Sequence, residues 1–223
     1  MRTSTEAIVL RRIDYGEGDR IVNFLTPGMG KVSALAKGVR KPSSKLAGGI
    51  EPFSVVNVTL LKGRSDLRTL VSSSMQVNYG NIIKDFSRVQ LGYLVLKKIN
   101  QAAETLEEPE LYDVLKTALA SLDRAEIDIR IIEAWFHLQY LQLLGHGLNL
   151  SRDSAGMRLA EDRRYNFSLA DMSFAVHEKG DFAADHLKVF KILQLKTPAV
   201  VASVSGVAGL LDECLRLLRM LDE

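Results

Sequence analysis

The chain has 223 residues, 47% of them hydrophobic and 25% charged, with a formal net charge of +2. This length suits one large domain or two small ones, and no apolar run approaches the roughly 18 residues that a helical membrane span needs. A single cysteine, Cys214, excludes an internal disulfide and a multi-cysteine metal site, and the opening Met1-Arg2-Thr3-Ser4-Thr5-Glu6 lacks the apolar core of a signal peptide, so the expected compartment is the cytoplasm.

In chain order, the first 80 residues read as strands. Glu6–Ile13, Arg20–Thr26, Lys31–Ala36, Val55–Lys62 and Leu67–Met75 are short, apolar or alternating segments. Turn signals separate them at Pro27-Gly28-Met29-Gly30 and at Gly63-Arg64-Ser65-Asp66. Five short strands at this spacing predict a small antiparallel barrel. After Tyr79-Gly80-Asn81 the period changes to that of helices, over Asp85–Ala103, 111–122, Glu126–Leu144, Asp185–Leu195 and Val207–Leu221. Pro109 and its flanking acids suit the start of the second helix. The third helix is apolar on nearly every side, as expected of a central one. The stretch 148–180 has a weak pattern, with one short hairpin around Tyr165–Phe167. The predicted class is therefore α+β: a five-stranded barrel over residues 1–80, then an all-α domain over 81–223 with a loop-rich insertion at about 148–180.

Catalytic patterns fail. Gly30-Lys31 has Leu25 and Val32 where a phosphate loop needs Gly and Ser or Thr. Gly16-Glu17-Gly18-Asp19 lacks the third glycine of a dinucleotide fingerprint. His137, His146, His177 and His186 are scattered, with no metal spacing among them. His137 and Cys214 read as packed side chains of helices, and Trp135 and Phe136 as core. No enzymatic activity and no cofactor are expected.

Charge is the informative feature. Residues 1–80 carry twelve Lys and Arg against six Asp and Glu, whereas residues 81–223 carry seventeen against twenty-one. From Arg20 to Ile50 there are six cations, Arg20, Lys31, Lys37, Arg40, Lys41 and Lys45, and no acid. A barrel with such a face suits a nucleic-acid backbone, since lysine and arginine neutralise phosphates without any sequence motif. Tyr15 is a candidate for base stacking, while Phe24 and Phe53 read as core. The same cations would serve an RNA- or ribosome-associated protein, or a structural adaptor whose basic face only aids solubility.

The order AIVLRRIDYGEGDRIVNFLTPGMGKVSALAKGVRKPSSKLAGGIEPFSVV, above all Ala36-Lys37-Gly38 with Arg40 and then Leu46 through Glu51-Pro52-Phe53, resembles the N-terminal domain of the bacterial recombination mediator family RecO. Leu143-Leu144-Gly145-His146-Gly147-Leu148-Asn149-Leu150 is similar to a second family segment. The resemblance implies an N-terminal OB-fold and a helical C-terminal domain. It implies binding of single- and double-stranded DNA and annealing of complementary strands. It also implies a nucleoid-associated role with RecR, and with RecF, in loading RecA onto DNA coated by single-strand-binding protein, without nucleotide hydrolysis.

The chain departs from the family pattern twice. Many relatives carry four cysteines for zinc after the second segment, and Ser151–Ala175 has none, so no metal is expected. Relatives also carry an arginine just before a phenylalanine on the central helix, where the acidic tail of single-strand-binding protein docks. Here Ala134 and Trp135 precede Phe136. Arg130, one helical turn earlier, is the expected replacement, with Arg124 and Phe136 beside it.

Overall fold

Strand β1 (Arg2–Tyr15) runs the length of the N-terminal barrel and is paired on both edges. The computed structural model describes residues 1–42, 44, 46–63, 66–106 and 108–222. The expected strands form close to their predicted bounds: β2 (Asp19–Thr26), β3 (Gly30–Ala36), β4 (Ser54–Leu61) and β5 (Arg68–Asn78). Arg64 and Ser65, in the turn expected before the fifth strand, lie outside the described residues. The strands close in the order β1-β2-β3-β5-β4, with β4 back on β1 from Arg2↔Leu61 to Ile8↔Val55. The expectation of a purely antiparallel barrel is corrected at one seam. β3 and β5 run parallel, through Ala34↔Arg68 and Leu35↔Thr69. Parity requires this: a closed ring of five strands cannot alternate direction all the way round. That seam is two residue pairs long, and most of β5 beyond it is exposed.

Alternation fills the barrel. Val32, Ala34 and Ala36 of β3 meet Val56, Val58 and Leu60 of β4 in one core with Phe24 at its centre. β1 departs from alternation, because Ala7, Ile8, Val9 and Leu10 are all buried. Ala7 and Val9 belong to the barrel core. Leu10 is the extra residue of a bulge, since Val9 pairs with Phe24 and Arg11 with Asn23. The outer side of β1 is covered by helix α1 (Phe86–Ala102).

That helix is fixed at both ends and in the middle. Asp85 caps its start, accepting from the Arg88 N–H at 3.1 Å. Phe53, held in the left-handed region at φ +56°, lays its ring on Gly92, where an added Cβ would stand 2.8 Å from it. At the C-terminal end, Lys31 of β3 donates to the Asn100 carbonyl at 3.3 Å and to the Glu104 carboxylate, placing a cation at the negative end of the helix dipole. Helix α2 (Glu110–Leu122) joins the same assembly. Buried Arg88 donates to the Leu122 carbonyl at 3.0 Å. Glu6 of β1 accepts from the Tyr112 hydroxyl at 2.5 Å and from Lys116 at 2.8 Å, and these donors hold its carboxyl below the usual range. The first compact unit is therefore Met1–Asp123, where the sequence suggested a boundary at residue 80. The barrel needs the two helices to cover β1.

The second unit, Arg124–Glu223, is organised on α3 (Ile129–Leu143), against which α4 (Ala184–Leu195) and α6 (Leu211–Leu221) pack. The short α5 (Pro198–Val201) lies between the last two in sequence. The expected helix Val207–Leu221 begins instead as a 3-10 turn, Val207–Leu210. The expectation of an all-α domain is corrected: β6 (Asn149–Asp153), β7 (Arg164–Ser168), β8 (Ser173–Val176) and β9 (Phe182–Ala183) form a sheet in the order β6-β8-β7-β9. The hairpin expected around Tyr165–Phe167 is the β7–β8 pair. The neighbouring strands are two to five residues long and owe their place to tertiary pairing and to an aromatic cluster of Phe174, Phe182 and Phe190. Gly180 closes on this sheet so tightly that a Cβ would lie 2.5 Å from the Tyr165 backbone. Among the described residues, no helix is long and apolar enough to cross a membrane.

His137 is buried between two carboxylates. Its Nδ1 pairs with Asp222, and its Nε2 lies 3.7 Å from Glu133, which also takes both arms of Arg219 at 2.6 and 2.8 Å. Burial disfavours the imidazolium, but the contacts to Asp222 and Glu133 outweigh it and raise the His137 pKa. Burial likewise disfavours ionised Glu133, yet His137 and Arg219 hold it down to about 2. Cys214 is fully buried, and its thiol is pushed up to about 12 by burial first and the charge of Glu213 second.

Two predictions follow from these contacts. Gly180→Ala should destabilise the protein by about 1–3 kcal/mol, read by denaturant unfolding, because backbone must move to admit the methyl. His137 contributes stability that is fully present below about pH 6.5, its ordinary value, and that is lost as pH rises through its raised folded value. The thermal midpoint should therefore fall as pH is raised from 6 to 9, and His137→Gln should lose that part of the slope.

Candidate nucleic-acid interface

The loop after β3 carries the cations that the sequence singled out, and its backbone is tied to the β1–β2 hairpin. Gly38, at φ +63°, turns the chain and donates its N–H to the Asp19 carboxylate at 2.7 Å. The Arg40 N–H donates to the Gly18 carbonyl at 3.0 Å, and Lys41 N–H to the Gly38 carbonyl at 3.1 Å. Val39 is buried in the barrel core while Lys37, Arg40 and Lys41 are exposed. An apolar peg inside and three cations outside thus fix which way the loop faces. The stem of Lys41 lies over Gly18 and Gly38, 3.8 and 3.7 Å from where their Cβ atoms would stand.

The six expected contacts separate into different roles. Among the described residues, Lys37 and Lys41 form no ion pair. Arg40 keeps a long contact with Asp14 at 3.7 Å and with the Gly16 carbonyl at 3.5 Å. Arg20 is committed to Asp14 at 2.8 Å, and that bond, with Arg40 and Arg12 nearby, holds the Asp14 carboxyl below its usual range. Lys31 is bound to the end of α1 with its side chain 12% exposed, so its ammonium is not presented with the loop. Lys45 lies outside the described residues. The segment from Arg20 to Ile50 has no acid of its own, but the hairpin supplies Asp14 and Asp19 from across the fold. Tyr15, in that hairpin, is 54% exposed, whereas Phe24 and Phe53 are buried as expected.

Two cations missed by the segment argument stand on β1. Arg11 is exposed, and Arg12 pairs with Glu51 at 2.8 Å. Together with Lys97 they border a groove of about 550 Å³ between β1 and α1, which Leu10, Pro52, Tyr93 and Leu96 also line. The available signal was the doublet Arg11-Arg12 directly after a four-residue apolar run; the facing Lys97 lies too far along the chain to be read with it.

In the second unit, Phe136 is fully buried and stacks on Tyr140 at 5.7 Å, so it offers nothing to a partner. Arg124 pairs with Glu126 at 2.7 Å. Arg130 lines a groove of about 580 Å³ with Leu215, Arg216, Arg219 and Met220, and is itself bound to Asp128 at 2.8 Å and to Asp212 at 3.0 Å. Among the described residues, no three His, Cys, Asp or Glu side chains converge on a metal position.

Comparison with known proteins places these units. Residues 1–78 match the family Recombination protein O N terminal, and residues 99–221 match Recombination protein O C terminal. The chain is 32% identical over 162 residues to the DNA repair protein RecO of Desulfatibacillum aliphaticivorans, covering 71% of this chain and 63% of that one. It is 33% identical over 147 residues to the DNA repair protein RecO of Thermoanaerobacter sp. (strain X514), covering 64% and 57%. The alignments thus span 57–63% of the length of these curated relatives. With both of the family's domains matched in order along the sequence, the chain belongs to the RecO family.

Proposed function

We propose that this chain is a DNA repair and recombination protein that binds single- and double-stranded DNA on its barrel, which we read as an OB-fold. In this reading it anneals complementary strands at the nucleoid. It works with RecR, and with RecF, to load RecA onto DNA coated by single-strand-binding protein, by binding and without catalysis. Family membership supports the repair role. The observation that carries the DNA site is the loop Lys37–Lys41, held by the hairpin and by Val39 with Lys37, Arg40 and Lys41 outward. Cations held outward by a rigid backbone meet phosphates without first losing loop entropy. The absence of a nucleotide requirement is supported by Lys31, which follows a glycine turn but has its ammonium bound to α1. We assign the acidic tail of single-strand-binding protein to the groove lined by Arg130 and Met220, without Arg124 or Phe136.

The test is a single-stranded DNA isotherm at several salt concentrations. Replacing Lys37, Arg40 and Lys41 by alanine should weaken binding and lower the salt slope by about 2 units, at roughly 0.7 per phosphate contact. Its stability should stay within about 0.5 kcal/mol of wild type, as for other surface changes. Lys31→Met should do the reverse, losing about 1–2 kcal/mol of stability with an unchanged slope. A triple variant with wild-type affinity and slope would remove the loop from the DNA site.

A further inference from the structure

We infer that the groove between β1 and α1 takes an unpaired nucleobase of a single strand, stacked on Tyr93, with the adjoining phosphates on Arg11 and Lys97. The inference rests on the nucleic-acid reading of the barrel and adds to it a second site of different chemistry.

The groove has the parts that such a ligand needs. Its floor is apolar, formed by Leu10 and Leu96, both nearly fully buried. Tyr93 stands in it 52% exposed, a large ring left partly in water at a concave surface. That ring is not free to fold away. Phe53 backs it at 4.9 Å, tilted by 59°, and Phe53 is fixed by its left-handed backbone and by its seat on Gly92. An aromatic surface ordered before the ligand arrives stacks a base without further cost in side-chain entropy.

Charge selects the ligand. None of the described residues lining the groove is acidic, and Arg11 and Lys97 are exposed and form no ion pair among the described residues. Arg12 is already held by Glu51. The bulge at Leu10 places Arg11 beside the groove, as bulges commonly re-aim side chains at functional surfaces. Asn100 also lines the groove. A volume of about 550 Å³ admits a base and its sugar but not a duplex.

The strand that borders the groove leads to the hairpin that holds the cationic loop. From Arg11 to Tyr15 along β1 is four residues, about 13 Å at the usual strand rise, and the hairpin that follows is bonded to Gly38 and Arg40. A strand a few nucleotides long would cover both, within the roughly 4–16 nucleotides that one barrel of this size engages.

The experiment uses the full chain, an oligothymidine carrying one 2-aminopurine, and a duplex of equal length. Wild type should quench the fluorescent base. Tyr93→Leu should abolish the quench and weaken single-strand binding about tenfold, with duplex affinity unchanged, while Tyr93→Phe keeps both. Arg11→Ala should lower the single-strand salt slope by about 0.7. If Tyr93→Leu quenches and binds as wild type while the Lys37, Arg40 and Lys41 variant loses affinity, the groove is not a base site and the loop stands. If wild type binds neither DNA, both readings fall. Equal loss of single-strand and duplex binding in Tyr93→Leu, or displacement of an acidic apolar-ended peptide from the groove with no effect on single strands, also overturns the inference.

Discussion

The N-terminal unit depends on β1 being buried on both faces. Ala7 and Val9 face the barrel interior, and the bulge residue Leu10 lines the side that α1 covers. A strand of that kind cannot stand on a barrel alone, since its outer apolar side would face water. The helix that covers it is held by Phe53 on Gly92, by Lys31 at its C-terminal carbonyls and by Arg88 on the end of α2. The same contacts leave a groove where α1 departs from β1, so the device that completes the core also shapes a surface.

Electrostatics sorts the cations of this unit by what each can reach. Lys31 and Arg88 are used up on helix ends, where a positive charge meets unpaired carbonyls. Arg12 and Arg20 are balanced by Glu51 and Asp14. Among the described residues, Lys37, Lys41 and Arg11 meet no carboxylate, and Arg40 has one long ion contact, with Asp14. Exposed pairs contribute little to stability in any case, so the arrangement matters most for the field it leaves outside. That field lies on the loop and beside the groove, and it is smaller than the raw count of cations suggests.

The second unit uses charge inwardly. Exposed Arg219 and buried His137, Glu133 and Asp222 join α3 to the end of α6 in one network. Removing His137 would take a partner from two largely buried carboxylates, Glu133 and Asp222, which is costly. Arg130, by contrast, is bound to two exposed or half-exposed aspartates at the mouth of a groove, and an incoming carboxylate would have to compete with them.

The sequence by itself determined the elements and their kind. Strand alternation placed β2, β3 and β4 to within a residue or two, and helical spacing placed α1, α2, α3 and α4 nearly as well, because both signals are local and repeat within one element. Tertiary structure alone decided which charges meet. Lys31 and Glu104 are far apart in sequence, as are Arg12 and Glu51, and no local period links them. It alone decided the parallel β3–β5 seam, a consequence of closing an odd ring, and the sheet of the second unit, whose strands are too short to show a period. It alone decided that the compact unit runs to Asp123, because the cover that β1 requires is supplied by helices that follow the barrel in the chain.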